Sequence, residues 1–227
     1  MLTPIGNPQN LYLYGKMGIS FGEFTGMMLP YTVVSAILLG SGILLLPEKQ
    51  KSVEIYGNYT IVKHFGNRKQ IMIYGILFIA ALFSVLRILP WYFVVIAILI
   101  AVIWIDYNVL FRVDYALLMT FIGFFIFTGN MGRISWLREL LENFMEGREF
   151  WTAILTSQLI SNFPATLLLS EFTECNVDLL QGVNLGGLGT LIASMASLIS
   201  MKAYGNACPQ NKGKYVWGFT WINLVFI

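Results

Sequence analysis

Charge is scarce in this chain. Of 227 residues, 14 are Lys or Arg and 12 are Asp or Glu, 11% in all, where a soluble domain carries about 25%. With 57% of the residues apolar, too little polar surface remains to cover a water-soluble globule, and the solvent around most of the chain is expected to be lipid. The net charge of +2 and the confinement of basic residues to loops exclude nucleic acid as an expected partner. Histidine occurs once, as His64, and cysteine twice, as Cys175 and Cys208. Without CxxC spacing, neither a disulfide framework nor a zinc site follows. An intramembrane serine or metal hydrolase would need a histidine at bilayer depth, whereas His64 sits in a charged loop. The GxGD motif of an aspartyl protease is also missing, so no enzyme and no cofactor are expected. A cleavable signal peptide is not expected either, because Met1 is followed directly by the turn-forming run Thr3-Pro4-Ile5-Gly6-Asn7-Pro8.

What is present is apolar length. A spanning helix needs about 20 apolar residues, and four uncharged runs qualify: 24–46, 70–86, 91–105 (extendable to 111 past Asp106) and 115–131. The loop 47–69 between the first two holds Lys49, Lys51, Lys63, Arg68 and Lys69, which makes it cytoplasmic by the positive-inside rule. Alternation then puts Arg112, Lys202, Lys212 and Lys214 inside and Arg87 outside. A multi-pass protein of the cell (inner or plasma) membrane is expected. From Arg133 to Glu149, Ile134, Leu137, Leu140, Leu141, Phe144 and Met145 share one helical stripe, while Arg138, Glu139, Glu142, Glu146 and Arg148 take the other face. That pattern predicts a helix lying in the external interface; a plain connecting helix fits equally.

Simple spans stop at 150–172, where Ser161-Asn162-Phe163-Pro164 interrupts an apolar run. Proline removes a backbone donor and disfavours helix in the preceding residue, so a break is expected at Asn162-Phe163, turning the chain back as a re-entrant hairpin. A second interruption follows at Gly182-Val183-Asn184-Leu185-Gly186-Gly187-Leu188-Gly189-Thr190, ahead of the apolar segment 191–201. It predicts an unwound stretch ending at a helix N-terminus, whose carbonyls suit a cation and whose dipole suits an anion. Glycines also permit close helix packing. Taken alone, Gly186, Gly187 and Gly189 favour packing; beside Asn162, Pro164 and Asn184 they favour a transporter's paired broken helices.

An internal match supports the second reading. At an offset of 187, Thr3, Ile5 and Leu11 meet Thr190, Ile192 and Leu198, while Gly6, Asn7 and Asn10 meet Ala193, Ser194 and Ser197 in kind. In the second copy a proline-broken hairpin and a Gly-rich run precede the match. The first copy starts at Met1, so the chain is expected to be an incomplete transporter, with 13 residues (215–227) in its last helix.

Ser161-Asn162-Phe163-Pro164-Ala165-Thr166 with Gly182 to Thr190 resembles the second-repeat motif of the ion transporter superfamily, the citrate, arsenite and divalent-anion permeases. Thr3 to Asn10 is similar to the end of that family's first-repeat motif, an Ile-Gly-(Asp/Asn)-Pro-x-Asn run. The resemblance implies an all-α, polytopic membrane protein of two inverted repeats, each with a re-entrant hairpin and a broken helix. The parts would be 1–46 (end of the first repeat), 47–69 (cytoplasmic loop) and 70–227 (second repeat). It further implies that Ser161, Asn162, Asn184, Gly187 and Thr190 line the second-repeat half of a central site, with Thr3, Asn7 and Asn10 from the first. A coupling Na+ would sit at Ser161, Asn162 and Asn184, with H+ as the alternative coupling ion. The first hairpin and the helices before it depart from the family pattern by being absent.

The expected function is secondary active transport of a small anion or ion by alternating access, with the lipid bilayer, the substrate and a second copy of the chain as partners. A structural or assembly membrane protein stands as the alternative, and an intramembrane enzyme as a weaker one. Asp106, Asp114, Arg87, Glu171 and Glu174 read as interfacial or solvated residues, although the two glutamates would suit an external entrance.

Overall fold

The computed structural model of the chain describes residues 1–45 and 68–226. Most of the predicted 47–69 loop, including His64, lies outside the described residues. Among those described, every regular element is helical. Two units form, Met1–Ser41 with Ala116–Ile227, and Gly42–Tyr115.

The smaller unit is built of helices that bury almost nothing. It holds the end of α2 (Phe21–Leu45), then α3 (Arg68–Val85) and α4 (Trp91–Asp106), the last continued by a 3-10 turn at Tyr107–Arg112. No residue of α3 is buried and only Val94 of α4 is, so Phe78 (63% exposed) and Trp104 (86%) face outward. Apolar exposure on that scale suits acyl chains and would be a liability in water. Between α3 and α4 the chain turns through a Schellman motif: Arg87 takes φ 62°, its N–H bonds Ser84 O and the Ile88 N–H reaches Phe83 O, each about one turn back. Phe21–Leu44, Arg68–Val85 and Trp91–Arg112 are long and apolar enough to cross a bilayer, matching three of the four expected spans.

The fourth expected span falls on α5 (Tyr115–Met131), which meets α6 (Ser135–Met145) at a 96° bend; only the two together are long and apolar enough to count as a span, a broken or re-entrant one. α6 is shorter than the predicted 133–149 element because Gly147 turns at φ 68° and a new helix begins at Glu149. On α6, Met145 is buried, while Leu140 and Phe144 remain exposed.

None of the next four helices is long enough to span alone: α7 (Glu149–Ile160), α8 (Asn162–Leu169), α9 (Asn176–Gly186) and α10 (Met195–Ala207). α7 and α8 form the re-entrant hairpin and α9 packs along α7. The core lies where these helices meet α1 (Pro8–Met17), with Leu13, Leu167, Leu169, Leu179, Leu180 and Val183 fully or nearly fully buried. Lys16 donates to the Ser170 carbonyl at the end of α8, a cation at a helix C-terminus, and lies 3.8 Å from Glu171. Both partners are partly exposed, which keeps Glu171 in the solvated role. α11 (Lys212–Phe226) closes the unit; it starts three residues before the predicted 215.

Two further boundaries differ from expectation. The hairpin breaks at Ser161, one residue before the predicted Asn162-Phe163, because Pro164 then occupies the third position of α8, where the missing N–H has no intrahelical partner to lose. The Gly-rich run is also less unwound than predicted. Gly182 to Gly186 are helical, and the interruption covers 187–194, with the next helix starting at Met195 and not behind Thr190.

The backbone repeats at the offset read from sequence. Thr3 is extended (φ −118°, ψ 154°), Pro4–Gly6 is a 3-10 turn, Asn7 is extended (−161°, 162°), and α1 starts at Pro8. Thr190 is extended (−72°, 159°), Leu191–Ala193 is a 3-10 turn, Ser194 is extended (−146°, 140°), and α10 starts at Met195. Each extended cap accepts a bond at its side chain, Asn7 from the Asn10 N–H and Ser194 from the Ala196 N–H.

Candidate functional site

A cavity of about 660 Å³ opens within the larger unit. Its polar lining is drawn from helix starts. Asn7, Pro8 and Gln9 are the cap and first two residues of α1; Ser194, Met195 and Ala196 hold the same places on α10; Asn162 and Phe163 are the first two of α8. Three helix N-termini therefore face one space, each carrying roughly half a positive charge on its unpaired N–H groups. The C-terminal end of α9 faces it as well, through Asn184, Gly187 and Leu188. Ser35 of α2 and Asn223 of α11 complete the polar wall, and no Asp, Glu, Lys, Arg or His side chain lines it among the described residues.

Four of the eight predicted site residues line this cavity: Asn7, Asn162, Asn184 and Gly187. Their amides are not equivalent. Asn184 Nδ2 donates to Asn10 Oδ1 at 2.6 Å and to Leu180 O at 2.9 Å, while its Oδ1 accepts from Asn7 Nδ2 at 3.3 Å. Asn10 Nδ2 donates to the Met1 and Thr3 carbonyls. Asn7, Asn10 and Asn184 thus form a clasp joining the start of α1 to α9, with Thr3 and Asn10 behind the wall. Asn162 is different. It is 7% exposed and its carboxamide makes no hydrogen bond among the described residues, so its polar atoms are free to take a partner from the cavity that it lines.

Backbone geometry supports the tip. Ser161 holds φ 75°, ψ 150°, a region other residues leave almost entirely to glycine and which costs about 1–3 kcal/mol. Its Oγ lies 3.5 Å from Ala193 O. Gly187 is there for room: a Cβ built on it would sit 2.6 Å from Asn162 Nδ2. Gly182 and Gly186 serve packing instead, since a Cβ at Gly182 would meet Phe150 O at 2.5 Å and one at Gly186 would meet Ile154 Cα at 2.8 Å. Gly189 turns at φ 95°. The glycine run therefore combines both readings that the sequence left open.

Sequence reasoning did not single out Gln158, Gln9, Ser35 or Asn223. Gln158 carried a usable signal, a polar residue four positions before Asn162 on the same helical repeat. Ser194 was visible only as the partner of Asn7 in the internal match. Away from the cavity, ligand atoms of Glu149, Cys175 and Asp178 lie within 4.8 Å of one another at the starts of α7 and α9. The Cys175 thiol is raised above its ordinary pKa, chiefly by the Glu149 charge, with burial and Asp178 adding.

The model of the citrate transporter family matches residues 1–173. The chain is 34% identical over 201 residues to an uncharacterized transporter of Methanocaldococcus jannaschii, covering 88% of this chain and 53% of that protein. It is 33% identical over 221 residues to the inner membrane protein YbiR of Escherichia coli, covering 89% and 54%. The chain spans about half the length of these curated relatives. No solved structure matches.

Proposed function

Because the chain belongs to the citrate transporter family, a family of multi-pass membrane transporters, we propose that its cavity is half of the substrate and coupling-ion site of a cation-coupled secondary transporter for a small anion. One observation carries the reading: the N-termini of α1, α8 and α10 face a single cavity that no charged side chain lines among the described residues. Converging N–H groups and dipoles favour an anion, and no charged side chain of the described residues lines the cavity to trap it. A carboxylate or oxyanion of citrate size fits the volume.

Sodium is the preferred coupling ion over a proton. Among the described residues no carboxylate lines the cavity to carry a proton, whereas the α9 C-terminus and the oxygens of Asn162, Ser161 and Asn184 suit a hard cation. Asn162 is the first ligand in this scheme, since its Oδ1 accepts no hydrogen bond among the described residues, whereas Asn184 Oδ1 already accepts from Asn7 Nδ2. Alternating access would carry the hairpin and the broken helix from one side to the other, with the 47–69 loop cytoplasmic and the tip at Asn162 reached from outside.

The test uses binding by the chain itself. In a background with Cys175→Ser and Cys208→Ser, Ser194→Cys is labelled by a hydrophilic thiol reagent in proteoliposomes. Citrate with Na+ is expected to slow labelling, and citrate with K+ to leave it unchanged. Equal labelling under all conditions would remove the anion reading; protection that follows pH in place of Na+ would transfer coupling to the proton.

A further inference from the structure

We propose that Gln158, a residue outside the cavity lining, positions the site by locking the unwound segment 187–190 to the hairpin arm α7. The proposal rests on the transporter reading for its purpose, though not for its geometry. Gln158 Nε2 donates to Gly186 O and to Leu188 O, both at 2.8 Å, and its Oε1 accepts from the Thr190 N–H at 2.9 Å. Thr190 Oγ1 adds a bond to the Gln158 carbonyl at 3.3 Å.

The physical need is plain. Where α9 ends, carbonyls lose their helical partners, and at bilayer depth water is not there to replace them unless the backbone is met by protein or a wet cavity. A primary amide presents two N–H donors and one carbonyl acceptor, the hydrogen-bonding groups of a peptide. Gln158 uses all of them on three backbone groups flanking Gly187. It consequently fixes Gly187 opposite Asn162 Nδ2, where a Cβ would be 2.6 Å away. Thr190, the first residue of the repeated turn, is held in the same register.

Two consequences follow. The Gly186 and Leu188 carbonyls each commit one of their two lone pairs to Gln158. The hairpin and the broken helix also move as one body, because part-buried hydrogen bonds join them beside the Gly182 and Gly186 packing against α7. Gln158 is a positioning residue: it acts on the site through Gly187 and Thr190.

The experiment places Leu188→Cys in the full chain lacking Cys175 and Cys208 and follows its labelling by a hydrophilic methanethiosulfonate from about pH 5.5 to 8. Rates are referred to the parent at each pH, which removes thiol ionisation. Gln158→Met, which removes all three side-chain bonds, is expected to be labelled faster than the parent throughout, by at least the roughly 5- to 150-fold that one such bond is worth. Gln158→Glu should match Gln158→Met at pH 8, where a carboxylate confronts two carbonyls. It should approach the parent at low pH, where the acid regains one O–H donor and keeps an acceptor for Thr190. A merely space-filling side chain would show no such pH rescue. Parent-like labelling of both variants at every pH, or fast labelling of Gln158→Glu without recovery in acid, overturns the proposal. Labelling needs no transport, so failure of the parent to bind citrate counts against the proposed function alone.

Discussion

Gly187→Ala separates binding from folding. Gly187 sits at φ −70°, ψ −11°, a conformation that alanine adopts without strain. Removing a glycine there restricts the unfolded chain and is worth about 0.4–1 kcal/mol of stability. Against this stands the 2.6 Å contact of the new Cβ with Asn162 Nδ2, well inside van der Waals distance, with the next neighbour, Asn184 O, at a tolerable 3.4 Å. The atom in the way is the end of a short side chain that has no hydrogen bond to lose, so the carboxamide swings aside and the backbone stays. Thermal unfolding of the detergent-solubilised protein, followed by tryptophan fluorescence, should therefore be unchanged or slightly higher. Sodium-dependent protection by citrate should weaken about 5- to 150-fold, the loss of one partner in a buried polar site.

Gly182→Ala is the control with the opposite outcome. Its Cβ would meet a backbone oxygen at 2.5 Å and Ala153 Cβ at 2.7 Å, neither of which moves without parting α7 from α9. Overpacking of that kind costs about 1–3 kcal/mol, read as a lowered unfolding temperature. Full citrate protection in Gly187→Ala, or parent-like stability in Gly182→Ala, would refute the division of the glycines into one for the site and others for packing.

Asn162→Ala and Asn184→Ala should part in the same pair of assays: the first loses protection with its unfolding temperature kept, whereas the second also unfolds earlier, by about 1–3 kcal/mol for a broken clasp. Equal stability of the two would count against the clasp. Ser161→Gly relieves the strained backbone and is expected to gain about 1–3 kcal/mol; a loss of stability would mean that the Ser161 hydroxyl matters more than its φ. Cys175 alkylation near neutral pH should accelerate in Glu149→Gln, because removing the carboxylate lowers the raised thiol pKa toward its ordinary value and enlarges the thiolate fraction. An unchanged rate across pH 7–9 would detach the thiol from Glu149.

Legibility differed by the kind of signal each residue carries. Apolar length depends on composition alone, so the helices at 91–105 and 115–131 were readable to within a residue or two. Pro164 located the hairpin break but misplaced it by one residue, since a proline is tolerated in a helix's first turn and so marks the start of α8, while the strain falls on Ser161. The Gly-rich run was read as one unwound stretch, yet Gly182 and Gly186, four residues apart on one helical face, needed the α7 surface to be recognised as a packing seam. What composition hides most completely is which buried amide already has a partner. Asn162 and Asn184 are the same residue in similar surroundings by sequence, and only the 2.6 Å bond to Asn10 and the lack of a hydrogen bond at the other amide distinguish a clasp from a ligand. The offset of 187 escaped this limit, because a matched pair of turns constrains backbone and sequence together: Thr3 with Thr190 and Asn7 with Ser194 occupy equivalent places before α1 and α10, and that equivalence is what turns both helix starts onto one cavity.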